Sequence, residues 1–170
     1  MSLPSLKADC SQCAALCCVL LPFDKSEAFA FDKAGGEPCK HLDGCNACRI
    51  HEQLSDRGFK GCVAFDCHGA GQRVVQEVFA GRSWRDDPTL MTRMGRAFHT
   101  MRRIHELLLL LREAARLPLS AAQKGEHAAL VSALVPESDW TEESLEAFDI
   151  RTVEEEVRQF LTGLRDIAAA

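Results

Sequence analysis

Residues 87–118 read DPTLMTRMGRAFHTMRRIHELLLLLREAARLP, and this stretch decides the fold class. Its apolar side chains recur at intervals of three and four residues, as on one face of a helix; they are Met91, Met94, Phe98, Met101, Ile104, Leu108 and Leu111. Asp87 and Pro88 form a start signal, with aspartate as N-cap and proline at the first helical position. Leu117 precedes Pro118 and resists helical geometry for that reason. We therefore predict a long amphipathic helix over about 88–116.

Three shorter helical segments follow this helix. Ser120 is a good N-cap for a helix over about 121–134, which Pro136 closes, and a short helical turn is predicted over 141–148. The last helix, over about 151–167, carries acidic residues in its first turns, where they suit the positive end of the helix dipole. Because amphipathic helices can bury a shared core, residues 81–170 are predicted to form a helical bundle.

Cysteines distinguish the other half of the chain. All nine lie within the first 67 residues: Cys10, Cys13, Cys17, Cys18, Cys39, Cys45, Cys48, Cys62 and Cys67. A secreted disulfide scaffold would usually carry a signal peptide and an even number of cysteines. The chain begins without a basic-then-apolar signal, which predicts a cytoplasmic location, where dense thiols serve as metal ligands or redox groups. We expect metal binding.

Charge and hydropathy exclude two classes of partner. The formal charge is −5 and no basic tract occurs, so we expect neither nucleic-acid binding nor attachment to anionic membranes. The longest apolar run, 107–111, is far shorter than a membrane span. A protein partner and a homodimer both stay open.

The spacing of the cysteines fits thiolate coordination. Cys10 with Cys13, and Cys45 with Cys48, have the C-x2-C spacing that lets two thiolates face one metal. Cys17 and Cys18 are adjacent, so their side chains diverge, and they suit either two centres or one ligand beside a packing residue. The segment has nine cysteines but only three histidines. This ratio narrowly favours an iron–sulfur cluster over zinc. Two four-thiolate sites, or one site with spectator cysteines, both agree with these numbers.

Residues 1–80 are predicted to form a small irregular segment that metal holds together and that packs on the helical bundle. A short hairpin is expected from 19–23 and 28–31, and one or two helical turns over 48–54. Segments of this size often need metal or disulfide staples to keep a fold. Trp84 and Trp140 are predicted to seal the joint between the halves, and His99 and His105 to be exposed or half-buried structural groups.

The order of these motifs resembles that of a known family. The stretches DCSQCAALCC (9–18), PCKHL (38–42), CRIHE (48–52) and GC (61–62) resemble the bacterial zinc- or iron-chelating cysteine-cluster (CxxCxxCC-type) domain. A closer likeness is to the cysteine-rich segment that precedes pentapeptide repeats in some bacterial proteins, which has a near-identical counterpart of GFKGCVAFDCHGAGQ (58–72). The resemblance covers roughly residues 8–85, but no pentapeptide repeats follow, so functions of that repeat are not inherited.

Carried over position by position, the resemblance implies a set of eight metal ligands: Cys10, Cys13, Cys17, Cys18, Cys39, Cys48, Cys62 and Cys67. Cys45 has no counterpart and is treated as a spectator. The chain departs from the chelating domain by one extra residue before Cys17, by His51 in place of tyrosine, and by 58–61 in place of an Arg-Pro element. These departures affect the geometry of the first cysteine cluster.

Three functional hypotheses follow. The first is a cysteine-ligated protein that binds an iron–sulfur cluster or zinc and has a structural, electron-transfer or redox-sensing role. The second is a metal- or thiol-dependent redox enzyme, which would need an accessible thiol of low pKa. The third is a helical protein-interaction module with a purely structural zinc site. No catalytic residue is assigned, because Cys67 and His68 are neighbours in the chain and side chains of neighbours usually point apart.

Overall fold

The computed structural model describes residues 3–168, and the protein is mainly helical. The cysteine-rich part contains three short helices: α1 (Leu16–Leu20), α2 (Lys60–Ala64) and α3 (Ala70–Arg73), the last continued by one wider helical turn over Val74–Val78. The remaining helices are α4 (Leu90–Ala114), α5 (Ala121–Leu134), α6 (Glu142–Ala147), α7 (Ile150–Gly163) and α8 (Arg165–Ala168). The predicted mainly helical fold is confirmed.

Helix α4 is the centre of the core. The predicted apolar stripe is completely buried from Met94 to Leu111, and only Met91 at its start is partly exposed. Helices α5, α6 and α7 all pack on α4, and Arg93 and Arg103 of α4 form ion pairs of 2.5 Å with Glu142 and Glu154. The amphipathic pattern therefore predicts both the helix and the face that it buries.

Local capping sets the starts of the shorter helices. Ser120 accepts a hydrogen bond from the Gln123 N–H, and the Gln123 side chain accepts one from the Ser120 N–H, which is a complete capping box. Thr141 and Ser144 form the same arrangement at α6. These caps satisfy N–H groups that the first turn of a helix leaves without partners.

The cysteine-rich segment shares this core. Leu16 and Val19 of α1 are completely buried, and a Cβ built on Gly95 of α4 would lie 3.1 Å from Leu20. The Trp84 indole donates a 2.7 Å hydrogen bond to the Ala14 carbonyl, so this tryptophan joins the two halves as predicted. Trp140 instead packs against Phe148. The division at residue 80 stays a prediction.

Extended structure is sparse and begins later than predicted. Val19 and Leu20 belong to α1 rather than to a hairpin strand, because α1 places the residues that it buries three apart on one side. Within residues 3–168, strand pairing is limited to isolated bridges, Phe23 with Lys33 and Leu42 with Cys48. The turn predicted over 48–54 is a single tight turn over His51–Gln53. None of the helices in the described range is long and apolar enough to cross a membrane.

Candidate metal centre

Side chains from α3 hold the first two cysteines in place. Cys10 lies in a tight turn over Cys10–Gln12, and Cys13 follows it directly. The Gln72 side chain accepts a hydrogen bond from the Asp9 N–H, and Gln76 donates a 2.9 Å bond to the Gln12 carbonyl. These bonds join residues more than sixty positions apart and dock the turn on the helix that follows Cys67.

The turn after Cys67 is shaped by two left-handed residues. His68 has φ of 50° and Gly69 has φ of 84°, so the chain reverses sharply before α3 begins. Gly71 then lies directly against Cys13, since a Cβ at that position would come within 2.6 Å of the Cys13 Sγ. A side chain at Gly71 would therefore displace the Cys13 thiol.

His105 of α4 supports this turn from inside the core. Its Nδ1 donates a 2.5 Å hydrogen bond to the His68 carbonyl, while its buried Nε2 has no hydrogen-bond partner. Burial lowers the pKa of His105 to about 4, so the ring is neutral at neutral pH. His105 is thus completely buried, contrary to the predicted exposed or half-buried state. Its place on the buried face of α4 explains the difference.

Cys17 and Cys18 lie at the meeting point of two sets of thiols. Their Sγ atoms are 3.9 Å apart and share a hydrogen bond, and the opposite directions of their pKa shifts agree with Cys17 as the donor. That bond and burial raise the pKa of Cys17, with added repulsion from the thiolates of Cys18, Cys13 and Cys67. The same bond lowers the pKa of Cys18 to about 7; burial opposes this shift, and the Lys33 ammonium adds to it. The two neighbours therefore face different surroundings.

Backbone contacts bring Cys39 and Cys48 towards Cys18. The Cys39 N–H donates a 3.0 Å hydrogen bond to the Cys18 carbonyl, and Cys48 pairs with Leu42 across a tight loop. Within this loop the Asp43 carboxylate accepts N–H bonds of 2.8 Å from Cys45 and Ala47. The loop reverses the chain between Cys39 and Cys48.

A cluster of aromatic rings positions α2, which carries Cys62, near the loops of Cys39 and Cys48. The cluster is formed by Phe23, Phe29, Phe31, His41 and Phe59. Gly61 precedes Cys62 and lies flat against the Phe29 ring, where a Cβ would approach to 2.1 Å. Its N–H also donates a 3.0 Å bond to the Ala28 carbonyl. The glycine and aromatic residues of 58–61 thus dock α2 on residues 23–33, which the Phe23–Lys33 bridge closes into a loop that we call the hairpin.

The electrostatics follow this division in part, since Cys10 is repelled by Cys67 but also by Cys18. Burial raises the pKa of Cys13 to about 11, opposed by N–H bonds from Leu16 and Ala15, with repulsion from the thiolates of Cys67 and Cys10. Partial removal from water raises the pKa of Cys62 to about 11, followed by repulsion from Cys18, Cys39 and Cys48. We call Cys10, Cys13, Cys17 and Cys67 the first thiol group, and Cys18, Cys39, Cys48 and Cys62 the second thiol group.

Backbone N–H groups point at sulfur in both groups. Cys13 accepts such bonds from Leu16 and Ala15, and Cys48 accepts one from Ile50. Ala15 has a left-handed φ of 55°, which belongs to the tight bend after Cys13. Hydrogen bonds to thiolate sulfur stabilise its negative charge and are a regular feature of cysteine-ligated metal centres.

The thiols of the described residues do not form a ready-made metal-binding geometry. Across residues 3–168, no three His, Cys, Asp or Glu side chains stand close enough together to hold a metal ion. All nine cysteines are free thiols, and Cys45 is exposed at the tip of the 43–47 loop. Arg85 binds that tip through the Asn46 side chain and the Asp43 carbonyl. The predicted ligand set, and Cys45 as a spectator, stay predictions.

One buried group near the thiols was missed by the sequence analysis. Lys33 is buried beside Cys18 and Cys39, yet a lone lysine in a short apolar stretch gives no signal of burial. Only the bridge between Phe23 and Lys33, which is a tertiary feature, turns the side chain inward.

Comparison with known proteins finds a similar bacterial protein. The chain is 48% identical over 109 residues to a protein of Bacillus subtilis (strain 168) called uncharacterized protein YybG. The match covers 64% of this chain and 39% of that protein, so the chain spans well under half of its relative's length. No profile of a known protein family matches the chain, and no solved structure matches it either.

Proposed function

We propose that this is a cysteine-ligated metal-binding protein of the cytoplasm, with a structural, electron-transfer or redox-sensing role. The observation that supports the proposal is the placement of the thiols: Cys13 lies against Gly71 in the helix that follows Cys67, and the Cys39 N–H is bonded to the Cys18 carbonyl, next to Cys17. Four thiolates are the ligand number of a structural zinc site and of a [4Fe–4S] cluster. We therefore propose one metal centre in each thiol group.

The chemistry of the thiols supports this reading. Removal from water, with added repulsion from neighbouring thiolates, raises the pKa of Cys13 and of Cys62 to about 11, so negative charge on these sulfurs is costly in the metal-free protein. A bound cation would remove that cost, because metal binding displaces the thiol protons and neutralises the thiolates. Rotation about the Cα–Cβ bond (χ1) alone sets the position of a cysteine Sγ. We therefore expect the thiols to converge on a bound metal by rotation about χ1.

The donor set fits two kinds of centre. Thiolate-only ligands suit Zn²⁺ and iron–sulfur clusters alike, and we narrowly prefer iron–sulfur because cysteines far outnumber histidines. An iron–sulfur cluster would supply one-electron transfer, whereas zinc would supply folding free energy. In both cases the chain supplies eight sulfurs, the N–H groups at Cys13 and Cys48, and the apolar packing of α1 behind Cys17 and Cys18.

The experiment is metal and acid-labile sulfide analysis of anaerobically purified protein, with an absorption spectrum. Two clusters predict a brown protein with about eight iron and eight sulfide per chain. Two zinc sites predict a colourless protein with about two zinc ions and no sulfide. The Cys45→Ser variant is the matched control, and its metal content should equal that of the wild type. A wild-type protein without bound metal, and unable to take it up, contradicts the proposal.

A second candidate function rests on Cys18. The pKa of this thiol falls to about 7 because it accepts a hydrogen bond from Cys17, and a low-pKa thiol beside a second thiol suits a thiol-dependent redox enzyme. Alkylation kinetics separate the two candidates. A redox enzyme predicts one rapidly modified cysteine in the protein as purified, whereas metal ligation predicts that the eight ligands react only after the metal has been stripped.

A further inference from the structure

Lys33 is a buried cation beside the second thiol group. Its exposed fraction is 6%, and lysine is almost never buried without a partner. The backbone fixes its position, since Lys33 and Phe23 exchange N–H···O bonds of 2.7 and 3.0 Å. The side chain is therefore held inward by the hairpin.

The direct partners of the ammonium group are neutral. Its Nζ donates bonds of 2.9 Å to the carbonyls of Val19 and Ala34. Val19 directly follows Cys18, and the carbonyl of Cys18 accepts the N–H of Cys39. The ammonium is thus anchored next to the backbone that connects two cysteines of the second thiol group.

The ionisable groups that act on Lys33 are three thiols and one carboxylate. Burial lowers the pKa of Lys33, and the groups that oppose this shift are Cys39, Cys18, Glu37 and Cys17, in that order. Glu37, the one carboxylate among these groups, is exposed. A buried ammonium needs negative charge nearby. The thiolates of Cys18 and Cys39 are the best-placed source of it.

We infer that Lys33 is the built-in counter-charge of a metal centre in the second thiol group, so that this centre binds its metal more tightly than the ligands alone would allow. The inference rests on the proposed function. Four thiolates around Zn²⁺, or around a [4Fe–4S]²⁺ core, carry a net charge of about −2. The Lys33 ammonium is buried, so it can offset part of that charge with little screening by salt.

The test compares Lys33→Gln with Lys33→Arg in two single-site backgrounds. Cys13→Ser leaves the second thiol group complete, and Cys48→Ser leaves the first thiol group complete. Glutamine keeps a hydrogen-bond donor for the carbonyls of Val19 and Ala34 but removes the charge, whereas arginine keeps both. Zinc and cadmium are titrated into the reduced full-length chain against a competing chelator, and circular dichroism checks that each variant is folded.

The inference predicts that Lys33→Gln weakens metal binding by about tenfold or more in the Cys13→Ser background, as outer-shell changes commonly do. In the Cys48→Ser background the same change should leave the affinity unaltered. Lys33→Arg should retain most of the affinity in both backgrounds. Lys25→Gln is the matched control, because Lys25 lies on the same hairpin but is exposed.

Other results decide against the inference. The charge at position 33 does not serve the second thiol group if Lys33→Gln lowers the metal affinity equally in both backgrounds, or in neither. The same conclusion follows if Lys33→Arg lowers the affinity as much as Lys33→Gln does. If the reduced wild type takes up no metal at all, the proposed function fails and the inference with it. If the wild type takes up metal and Lys33→Gln matches it in the Cys13→Ser background, the inference alone fails.

Discussion

The two halves of this protein are held together in different ways. In the helical half, α4 buries large apolar side chains completely, and the shorter helices close over them. In the cysteine-rich segment, α1 and α3 pack into the same core, but the turn with Cys10 and Cys13 is held by single hydrogen bonds, such as Gln72 with Asp9 and Gln76 with Gln12. The two halves therefore differ in the source of their stability. The helical half should fold by burial alone, while the segment should depend on what its thiols bind.

Removal of a metal ligand should have the largest effect, and only on one half. Cys48→Ser takes one ligand from the second thiol group, and we expect it to release the metal of that group and destabilise the segment, because ligation free energy is folding free energy. Cys13→Ser should do the same to the first thiol group. Hydrogen exchange should report lost protection in residues 10–67 and retained protection in α4. Unchanged metal content and melting in both variants would contradict the ligand assignment.

Truncation of a buried side chain in α4 should destabilise the helical half. Phe98→Ala removes a completely buried ring from α4, which should cost about 3–5 kcal/mol in the free energy of unfolding. Thermal and denaturant melting measure this loss. Val63→Ala removes an apolar group that is 58% exposed and serves as the control, with little expected change. Similar melting of the two variants would mean that α4 does not organise the core.

A single methyl group should disturb the support of the second thiol group. In Gly61→Ala the new Cβ would come within 2.1 Å of the Phe29 ring, so the aromatic cluster must shift, at a cost of about 1–3 kcal/mol. Gly44→Ala is a matched control, because nothing lies within 4 Å of a Cβ at that position. Denaturant melting and metal affinity are the measurements. A Gly61 variant as stable as the Gly44 variant would rule out the packing of α2 on the hairpin.

The helix caps should matter less. Ser120→Ala removes the side-chain acceptor of the Gln123 N–H at the start of α5, with an expected loss of about 1 kcal/mol. Ser120→Asp keeps an acceptor and should restore most of the stability. Metal content should stay unchanged in both variants, since the cap lies in the helical half. Metal loss in Ser120→Ala would show that the halves do not separate as described.

Much of the fold could be predicted from the sequence, because the apolar residues of the longer helices recur at intervals of three and four. The predicted helix over 88–116 is found at Leu90–Ala114, and the one over 121–134 is found with the same bounds. Helix α1 was missed because five residues are too few to establish a period. The eight candidate ligands were chosen from spacing and resemblance. Their division into two groups depends on tertiary contacts such as Gly71 against Cys13, and the burial of Lys33 depends on its bridge to Phe23.

Native mass spectrometry of the anaerobically purified protein tests the central claim most directly. We expect a chain that carries two centres, either two zinc ions or two iron–sulfur clusters. Cys13→Ser and Cys48→Ser should each retain one centre, and Cys45→Ser should retain both. A mass that corresponds to the metal-free chain after metal has been offered, or loss of both centres together in each single variant, would contradict two separate four-thiolate sites.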